Sequence, residues 1–596
     1  MKKNNIYGRI SILKKILKTY YLRDKLLFVY MFIKSLFDLM TPLISTFVLS
    51  YIVGNVTNNR NPRDYLGNVA ILSVVLMITN YFSSTLKEKI DSSITIYRQN
   101  LFLIPLFHKV FEMPFNKYDD SKIQQEINSA VDASFSEWSG IEGIMKELTN
   151  FITLFASFFI YLILMFRFSW EFVALCLFFS SINVLLSQYS IKEEDKLVEK
   201  VFGINRQLEY LFQKSIDPKA GKDIRIYQIN DTFKTLFKNG RTDRNKLLQS
   251  IEKKYIPLDI LQLIFSAFQK LLGVLFISYK CLYDNLDIGY AVFYLTMIEQ
   301  FSMSFTHLYH SIISLIKNSK LVQPYFDFME RTVLLNQNTL SISHFSNLSL
   351  ENVYYHYPDQ KRDVIKNLSL RIKAGEKIAI VGGNGEGKTT LIKLILGLLH
   401  PTNGKVLLND KIDLSGYPNG IGIPLVSGMF QQSNIFPFTI EENITTNFSS
   451  KTEKERLFEV LKNIDLFDYI NQLPNKEKTY ITKLIDASGI ELSGGLTQKM
   501  YLGRVLYSNP QIIILDEPTS MFDAESERKF YEQFHIIFKD KTLIYISHRL
   551  ASTSFCDRII VLEDGNIVEE GMHEELIKNK KSYYRMYNSQ QKSYQT

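Results

Sequence analysis

Long apolar runs without any charged side chain dominate the first half of this chain. Residues 65–86, 148–166 and 172–191 each form such a run. A helix needs about 20 mostly apolar residues to cross a bilayer, and each run is close to that length. Because the lipid interior offers no water to unpaired backbone groups, runs of this kind must form helices. The sequence therefore predicts three membrane-spanning helices in this region.

Three more apolar runs contain only one or two charged side chains: residues 26–53, with Lys34 and Asp38, residues 257–279, with Asp259 and Lys270, and residues 288–316, with Glu299. We predict that these runs also cross the membrane, which makes six spans. The alternative is a set of buried helices in a large soluble protein, but such helices are usually shorter and amphipathic. Residues 1–330 are therefore expected to form an α-helical membrane domain with long cytoplasmic extensions.

The distribution of lysine and arginine predicts the orientation of these spans. Eight basic residues precede the first span, against one acidic residue, Asp24. The stretches 87–147 and 192–255 are long and rich in charge, whereas the short loops on the opposite side contain few basic residues. The positive-inside rule then places the N-terminus and both long stretches in the cytoplasm.

The second half of the chain has a different pattern. After a polar connector at residues 331–345, short β-branched runs alternate with helical stretches and Gly-rich turns over residues 346–596. This alternation is typical of an α/β domain with a largely parallel sheet. The mean hydropathy of −0.03 thus averages two unlike halves. The net charge of +8 needs no nucleic-acid partner, because basic residues flank the spans.

A glycine-rich loop in the second half has the spacing of a phosphate-binding loop. The strand-like run 377–381 leads into Gly-Gly-Asn-Gly-Glu-Gly-Lys-Thr at residues 382–389, and an apolar helical segment follows. The glycines let backbone N–H groups surround phosphate oxygens at the start of a helix. Lys388 is predicted to reach the β- and γ-phosphates of a nucleotide, and the Thr389 hydroxyl to bind Mg²⁺.

Two further strand-like runs end in residues suited to phosphoryl transfer. Residues 512–515 lead into Asp516 and Glu517, and residues 542–547 lead into His548. Paired acids at the end of a strand suit Mg²⁺ coordination by the first and activation of water by the second. We expect His548 at the same edge of the sheet.

The most discriminating segment is Leu-Ser-Gly-Gly-Leu-Thr-Gln-Lys at residues 492–499. It is similar to the signature loop of the ATP-binding-cassette (ABC) family. Residues 346–596 therefore resemble the nucleotide-binding domain of an ABC transporter, a P-loop ATPase, and the whole chain resembles an ABC exporter half-transporter. Leu496 and Lys499 stand where the family usually has glutamine and arginine, which leaves their effect on turnover open.

The resemblance implies a set of nucleotide contacts. Tyr357 falls where the family stacks an aromatic ring on adenine. The expected phosphate-loop contacts are Gly382, Asn384, Gly385, Glu386, Gly387, Lys388, Thr389 and Thr390. The signature residues Ser493, Gly494 and Gly495 are expected to contact the ATP of a partner domain.

The resemblance also implies the residues that act on Mg²⁺ and water. Gln431 matches the glutamine that senses Mg²⁺ and contacts the membrane domain, and its neighbour Gln432 is the weaker choice. Asp516 is expected to complete the Mg²⁺ shell with Thr389 and Gln431, and Glu517 to polarise the attacking water. His548 is expected to hold the γ-phosphate, and Asp523 matches the loop that crosses between paired domains.

The resemblance further implies a partner chain and a cargo. One chain carries one copy of each motif, and the signature loop completes the ATP site of a partner domain, so two chains must pair. A homodimer is expected, and a heterodimer stays open because of Leu496.

Residues 430–431 and the pattern over 289–329 are similar to bacterial lanthipeptide and bacteriocin exporters of the cell membrane. A multidrug or lipid exporter is the alternative, and a soluble ABC-type ATPase acting on ribosomes or DNA is a remote one. We expect another protein to remove any leader sequence from the exported peptide, because the residues before the first span are too few to form a peptidase domain.

Polar residues inside the spans are candidates for contact with cargo. Lys34 and Asp38 are four residues apart and share a helix face, so they can neutralise one another. The last span carries Glu299, His307 and His310. The alternative is that these groups pair helices with one another and touch no cargo. The segments 119–133 and 221–227 are expected to couple the two halves of the chain.

Overall fold

The computed structural model describes residues 6–595 except 119, 285, 332–343, 359, 361, 418–424, 432, 447–452, 484, 520, 523–524, 526, 529, 533–537 and 548. The chain divides into two compact units. The first comprises Met1–His108 and Glu126–Glu330, and the second comprises Lys109–Gln125 and Arg331–Thr596. The predicted connector at 331–345 lies mostly outside the described residues.

The chain up to residue 330 is helical: α1 (Ile6–Arg23), α2 (Lys25–Thr57), α3 (Pro62–Arg98), a π-helical turn (Gln99–Leu103), α4 (Ile104–Glu112), α5 (Phe115–Tyr118), α6 (Ser121–Phe135), α7 (Gly140–Phe166), α8 (Trp170–Ile216), α9 (Pro218–Ile226), α10 (Asn230–Tyr283) and α11 (Ile288–Glu330). Of these, α5 with the end of α4 and the start of α6 belongs to the second unit, and the rest form the first. Side chains cap several of them. Asp24 accepts hydrogen bonds from the first amides of α2, and Pro62 opens α3 where no amide hydrogen is needed.

Five helical segments of the described chain are long and apolar enough to cross a membrane: Lys25–Thr57, Pro62–Glu112, Ser121–Phe166, Trp170–Tyr189 and Asn230–Tyr283. They coincide with the first five predicted spans. α11 is one continuous helix of 43 residues over the sixth predicted span, but it is not apolar enough to be counted with these five. Its many hydroxyl, amide and imidazole side chains lower its hydropathy, so its crossing of the membrane stays a prediction.

Two contacts hold the helices of the first unit together. Gly54 on α2 and Gly289 on α11 pack so closely that a Cβ at position 289 would lie 2.9 Å from the Gly54 Cα, and the Ser50 hydroxyl donates to the Gly289 carbonyl at 2.6 Å. On α3, Arg98 is buried and its Nε lies 2.6 Å from the buried carboxylate of Glu142 on α7. These contacts place α2, α3, α7 and α11 side by side.

The second unit is built on two sheets. Its strands are β1 (Asn347–Tyr355), β2 (Ile365–Lys373), β3 (Lys377–Gly382), β4 (Asn403–Leu408), β5 (Ile412–Asp413), β6 (Val426–Met429), β7 (Ile512–Asp516), β8 (Thr542–Ile546), β9 (Arg558–Glu563) and β10 (Asn566–Gly571). A four-stranded antiparallel sheet has the order β2-β1-β4-β5, and a six-stranded sheet has the order β10-β9-β3-β8-β7-β6. In the larger sheet, β9, β3, β8, β7 and β6 run parallel, as the sequence predicts.

The helices of the second unit in the described residues are α12 (Lys388–Ile395), α13 (Ile440–Thr445), α14 (Lys454–Asn463), α15 (Phe467–Asn471), α16 (Gly494–Ser508), α17 (His573–Asn579) and α18 (Ser582–Gln595). The central strands β7 and β8 are buried at every position, which explains why they are mostly apolar between Thr542 at the start of β8 and Asp516 at the end of β7. The adjacent parallel strands β3, β8, β7 and β6 bring their carboxyl ends to one edge of the sheet. The predicted catalytic residues follow three of these strands.

Candidate nucleotide site

The phosphate loop connects β3 to α12 through a left-handed turn. Gly387 has φ +96° directly before α12 begins at Lys388, and a Cβ there would lie 2.9 Å from the Ile365 Cδ1. Only glycine adopts this conformation without strain and leaves room beside Ile365. Successive amides of such a turn and the helix N-terminus form a concave site for anions. The predicted strand–loop–helix arrangement is present.

Lys388 lies across the phosphate loop. Its Nζ donates hydrogen bonds to the carbonyl oxygens of Gly382, at 2.9 Å, and Gly383, at 2.7 Å. Burial lowers the pKa of Lys388, and the carboxylates of Asp516 and Glu517 oppose that shift. The structure therefore brings the predicted lysine and the two predicted acids into one electrostatic unit.

Asp516 ends the buried strand β7 and is 7% exposed. Burial raises the pKa of its carboxyl to about 6, and the neighbouring charge of Glu517 adds to the shift. A hydrogen bond from the Gln431 backbone and the charge of Lys388 act in the opposite direction. A buried carboxylate of this kind gains a favourable partner when a cation binds beside it.

Glu517 follows Asp516 in a left-handed conformation with φ +52°, which is uncommon for a residue other than glycine. Its backbone N–H donates to the Ile546 carbonyl at the end of β8, at 3.0 Å. Strained backbone of this kind concentrates at functional sites, where the surrounding structure holds it. The turn fixes Glu517 just beyond the sheet edge, next to Asp516.

The other predicted nucleotide contacts of the phosphate loop differ in exposure and in hydrogen bonding. Asn384, Gly385 and Thr389 are exposed. The carboxylate of Glu386 accepts a hydrogen bond from the Asp564 amide, which anchors the tip of the loop. The Tyr357 hydroxyl lies 3.1 Å from the Thr390 hydroxyl, so the predicted adenine-stacking ring is tied to the start of α12.

The signature loop leads into α16. Ser493 caps this helix by accepting a hydrogen bond from the Leu496 amide, and both Ser493 and Gly494 are exposed. Leu496 packs against the core cluster on one side of the large sheet, where an apolar residue in place of the usual glutamine is accommodated. The Gln498 side chain accepts from the Met521 amide at 2.9 Å and so ties α16 to the chain that follows Glu517.

Arg504 and Tyr501, two residues that the sequence analysis did not single out, hold the chain after Gln431 against α16. The Arg504 guanidinium donates to the carbonyl oxygens of Asn434 and Asn443, each at 2.7 Å, and to the Asn443 side chain. The Tyr501 hydroxyl donates to the Ser433 carbonyl at 2.6 Å. A polar aromatic and an arginine three residues apart on an amphipathic helix were the available signal.

His548 and Asp523, as well as Gln432, lie outside the described residues. Their predicted roles therefore stay predictions. The neighbours of His548 are described, and they show that β8 ends at Ile546 beside β3 and β7. The predicted position of His548 follows this end of β8.

The fold and the site define a P-loop ATPase in which the signature loop leads into α16. Residues 365–520 match the sequence model of the ABC transporter family. This match covers the phosphate loop, the signature loop and the two acids after β7. The second unit is an ABC-type ATP-binding domain, and the chain is an ATPase coupled to transport.

Relatives match the chain over nearly its whole length. The nisin transport ATP-binding protein NisT of Lactococcus lactis subsp. lactis is 25% identical, over 96% of this chain and 95% of its own. The subtilin transport ATP-binding protein SpaT of Bacillus subtilis is 24% identical, over 97% of this chain and 94% of its own.

The structure of a bacterial Atm1-family ABC exporter with ATP bound has a TM-score of 0.77 at 18% identity, and covers 95% of this chain and 99% of that chain. The chain is thus an ABC transporter ATP-binding domain fused to a helical membrane domain, with the fold of an Atm1-family exporter.

Proposed function

We propose that this chain exports a peptide across the cell membrane, driven by ATP binding and hydrolysis. One observation carries the proposal: the similarity to the nisin and subtilin transport proteins extends through the helical unit as well as the ATPase unit. Cargo is selected in the membrane domain of a transporter, so similarity there bears on the cargo more than similarity in the ATPase does. In the proposed orientation, the N-terminus and the ATPase unit are cytoplasmic.

A second candidate cargo class rests on a shorter match. A protein of Staphylococcus aureus (strain NCTC 8325 / PS 47), provisionally named as a multidrug export ATP-binding/permease protein, is 35% identical over 244 residues. The match covers 41% of this chain and 41% of that protein. This higher identity is confined to less than half of each protein, whereas the similarity to the nisin and subtilin transport proteins covers nearly the whole chain, so peptide export stays the first proposal.

In the proposed reaction, water attacks the γ-phosphorus of ATP, a new P–O bond forms, and the bond to the β-γ bridging oxygen breaks. Lys388 and the amides of its loop hold the phosphates, and Glu517 orients the water and draws its proton. Phosphoryl transfer depends mainly on positioning and charge neutralisation, which these groups provide. His548 is proposed to hold the γ-phosphate.

The chain also carries residues that fit a Mg²⁺ ion. Asp516 is a buried carboxyl whose pKa is raised, and it lies close enough to Lys388 and Glu517 for their charges to act on it. Thr389 offers an exposed hydroxyl and Gln431 an exposed amide. Oxygen ligands of this type suit Mg²⁺, which when bound would neutralise charge on the phosphates. We assign Thr389, Gln431 and Asp516 to that role.

The proposed active form is a dimer of two copies of this chain. Each chain has one phosphate loop and one signature loop, and the exposed Ser493 and Gly494 are available to a second copy. A site closed by two domains binds ATP best in the closed state. That difference in affinity is what lets ATP shift the transporter between conformations.

The predicted coupling segment at 119–133 is proposed to transmit this closure. The chain that leads into it, residues 109–125, belongs to the second unit, where the Lys393 ammonium lies 5.2 Å from the centre of the Phe115 ring. Lys393 is on α12, five residues beyond Lys388, so the helix that follows the phosphate loop contacts the chain leading into this segment. α9, over the second predicted coupling segment at 221–227, is proposed to act in the same way.

The proposal is tested with purified chain in inside-out proteoliposomes. We expect ATP-dependent uptake of short fluorescent peptides, and none with the variant Glu517→Gln. Uptake of a hydrophobic dye without uptake of any peptide would favour the multidrug class instead. Recovery of the chain in the soluble fraction without detergent would exclude both.

A further inference from the structure

A polar cavity of about 360 Å³ lies between α2, α7 and α11 of the first unit. The residues that matter for its chemistry are Asp38, Glu147, Asn150, His307, His310 and Ser311. This volume is near the lower end of the range for small-molecule sites, so it suits a side chain or chain terminus better than a whole peptide. The cavity brings together three of the polar residues that the sequence analysis named as candidates for cargo contact.

The Ser311 hydroxyl in the wall of this cavity lacks a hydrogen-bond partner. Its side chain is 2% exposed, and its Oγ has no hydrogen-bond partner among the described residues. Most buried hydroxyls are hydrogen-bonded, because leaving one unpaired is unfavourable. A ligand that reaches the cavity can satisfy this hydroxyl.

Glu147 provides an unpaired negative charge at the same wall. It is half-buried on α7, and within the described parts of the chain it has neither an ion pair nor a hydrogen bond. The other carboxylate, Asp38, already binds Lys34 and the Ser83 hydroxyl. Glu147 is therefore the anion that remains for a ligand.

An adjoining cavity of about 380 Å³ shares Glu147 and Asn150 with the first. Among its charged residues, Lys34 is paired with Asp38 and Lys146 with Glu142. Lys87 and Asp91, four residues apart on α3, balance one another in charge. Glu142 is shared between Lys146 and Arg98, so Glu147 balances the charge of this group, and it is the carboxylate there that has no ion pair among the described residues.

Glu299 behaves differently from these residues. Its carboxylate lies 2.9 Å from the Lys270 ammonium, and this pair joins α10 to α11. Both side chains are about half exposed, and neither lines the cavity. The pairing alternative from the sequence analysis is therefore favoured for Glu299, while His307 and His310 line the cavity.

We propose that this cavity binds a protonated amine of the exported peptide, a lysine side chain or the N-terminal ammonium. The proposal rests on the proposed peptide export and names the chemistry by which the cargo is recognised. Glu147 forms the ion pair, and the Ser311 hydroxyl and the Asn150 amide oxygen accept the remaining ammonium hydrogens. Glu147 is half-buried, and the attraction between its carboxylate and a cation is stronger in such a setting than in bulk water.

The test measures binding and transport separately. The full-length chain is placed in vesicles of phosphatidylcholine, whose headgroup has no net charge and no N–H, so that the lipid neither attracts the cationic peptide nor donates hydrogen bonds in the cavity. The probes are a short fluorescein-labelled peptide of alternating leucine and lysine with a free N-terminus, and its N-acetylated counterpart with glutamine in place of lysine. Fluorescence anisotropy reports binding, and ATP-dependent uptake reports transport.

We expect the wild-type chain to bind the lysine peptide about tenfold more tightly than the glutamine peptide, as befits a hydrogen-bonded charge. Glu147→Gln should abolish this preference, and Ser311→Ala should reduce it. Glu147→Asp, which keeps the charge, should retain most of it. The matched control is Glu88→Gln, an exposed position on α3 outside both cavities, and it should bind both peptides as wild type does.

Equal binding of the two peptides by the wild type would overturn the proposal, as would an unchanged preference in Glu147→Gln. The unfolding temperature of each variant in the vesicles shows whether it is folded. If neither peptide is taken up but the preference in binding depends on Glu147, peptide export fails while the amine site stands. If both are taken up and bound equally, peptide export stands and the amine site fails.

Discussion

The backbone amide of Gln431 donates a hydrogen bond to the carboxylate of Asp516. The two residues are 85 positions apart in the chain, and they meet because β6 and β7 are adjacent parallel strands with Met429 opposite Leu515. The loop that contains Gln431 is thereby fixed to the end of the strand that carries the predicted Mg²⁺ ligand. A change at Asp516 therefore reaches the Gln431 loop directly.

The raised pKa of Asp516 predicts a proton release when Mg²⁺ and ATP bind. In the nucleotide-free chain the pKa of this carboxyl is about 6, so near that pH half of the molecules hold a proton there. At the proposed site, Mg²⁺ would bind the deprotonated carboxylate and displace the proton. Calorimetry in buffers of different ionisation enthalpy should detect proton release near pH 6, and less release as the pH rises by one to two units.

The same shift predicts a pH-dependent stability. The ordinary pKa is 3.8 and the folded value about 6, so between these values the folded chain keeps a proton that the unfolded chain has lost. The contribution of Asp516 to stability is therefore present below about pH 4 and falls as the pH rises through 6. Asp516→Asn should raise the unfolding temperature of the nucleotide-free chain at neutral pH and leave it unchanged in the acidic window. The proton release near pH 6 should be absent from this variant, and its persistence there would assign it to another group.

Glu517→Gln is expected to bind ATP with nearly wild-type affinity and to hydrolyse it at least about a hundredfold more slowly, because the residue that we propose draws the proton from water is lost. Glutamine is close in size to glutamate and leaves the backbone unit that donates to Ile546 in place. Equilibrium binding of a fluorescent ATP analogue and steady-state phosphate release measure the two effects. Glu525→Gln, at another acid of the same unit, is the control, and wild-type turnover in Glu517→Gln would refute the assignment.

Lys388→Ala is expected to weaken ATP binding itself by about tenfold or more, because a charge-assisted contact with the phosphates is lost. The Lys388 ammonium already lies on the carbonyl oxygens of its own loop, so binding requires only that it turn to the phosphates. Lys405→Ala, at an exposed position of β4, is the matched control and should leave the affinity unchanged. Equal ATP affinity in the two variants would count against the phosphate-loop role of Lys388.

The buried pair of Arg98 and Glu142 predicts a non-additive effect on stability. Glu142→Gln leaves the Arg98 guanidinium without its carboxylate, although the carbonyl oxygens of Ser134 and Phe135 remain at 2.7 Å. Removing one partner of a buried ion pair lowers the free energy of unfolding by about 3–5 kcal/mol. The double variant Arg98→Met with Glu142→Leu should recover much of this loss.

Denaturation in detergent, followed by circular dichroism, measures this effect. Asp231→Asn serves as control, because the Asp231–Lys234 pair is exposed at its two side chains and should contribute less than about 1 kcal/mol. A double variant no more stable than Glu142→Gln would show that the loss does not come from an unpaired guanidinium.

The amino-acid sequence by itself determined the elements whose signals are local. Three uncharged runs and two runs with two charged side chains each predicted the first five apolar helices, because a long apolar run has one stable structure in lipid. The phosphate loop was predictable because its chemistry is contained in eight consecutive residues between a strand and a helix. The two acids at the end of β7 were predictable because a run of buried apolar residues is followed directly by charged ones.

Only the tertiary structure decided which distant polar groups meet. Glu299 lies inside an apolar run and Glu147 follows Lys146 directly before another one, and neither position says which partner its carboxylate meets. Packing of α10 against α11 gives Glu299 the Lys270 ammonium, whereas Glu147 remains unpaired in a cavity among the described residues. Charge pairing across helices depends on which faces pack together. That choice is made by side-chain contacts along whole helices, such as the close approach of Gly54 and Gly289, and not by any short sequence motif.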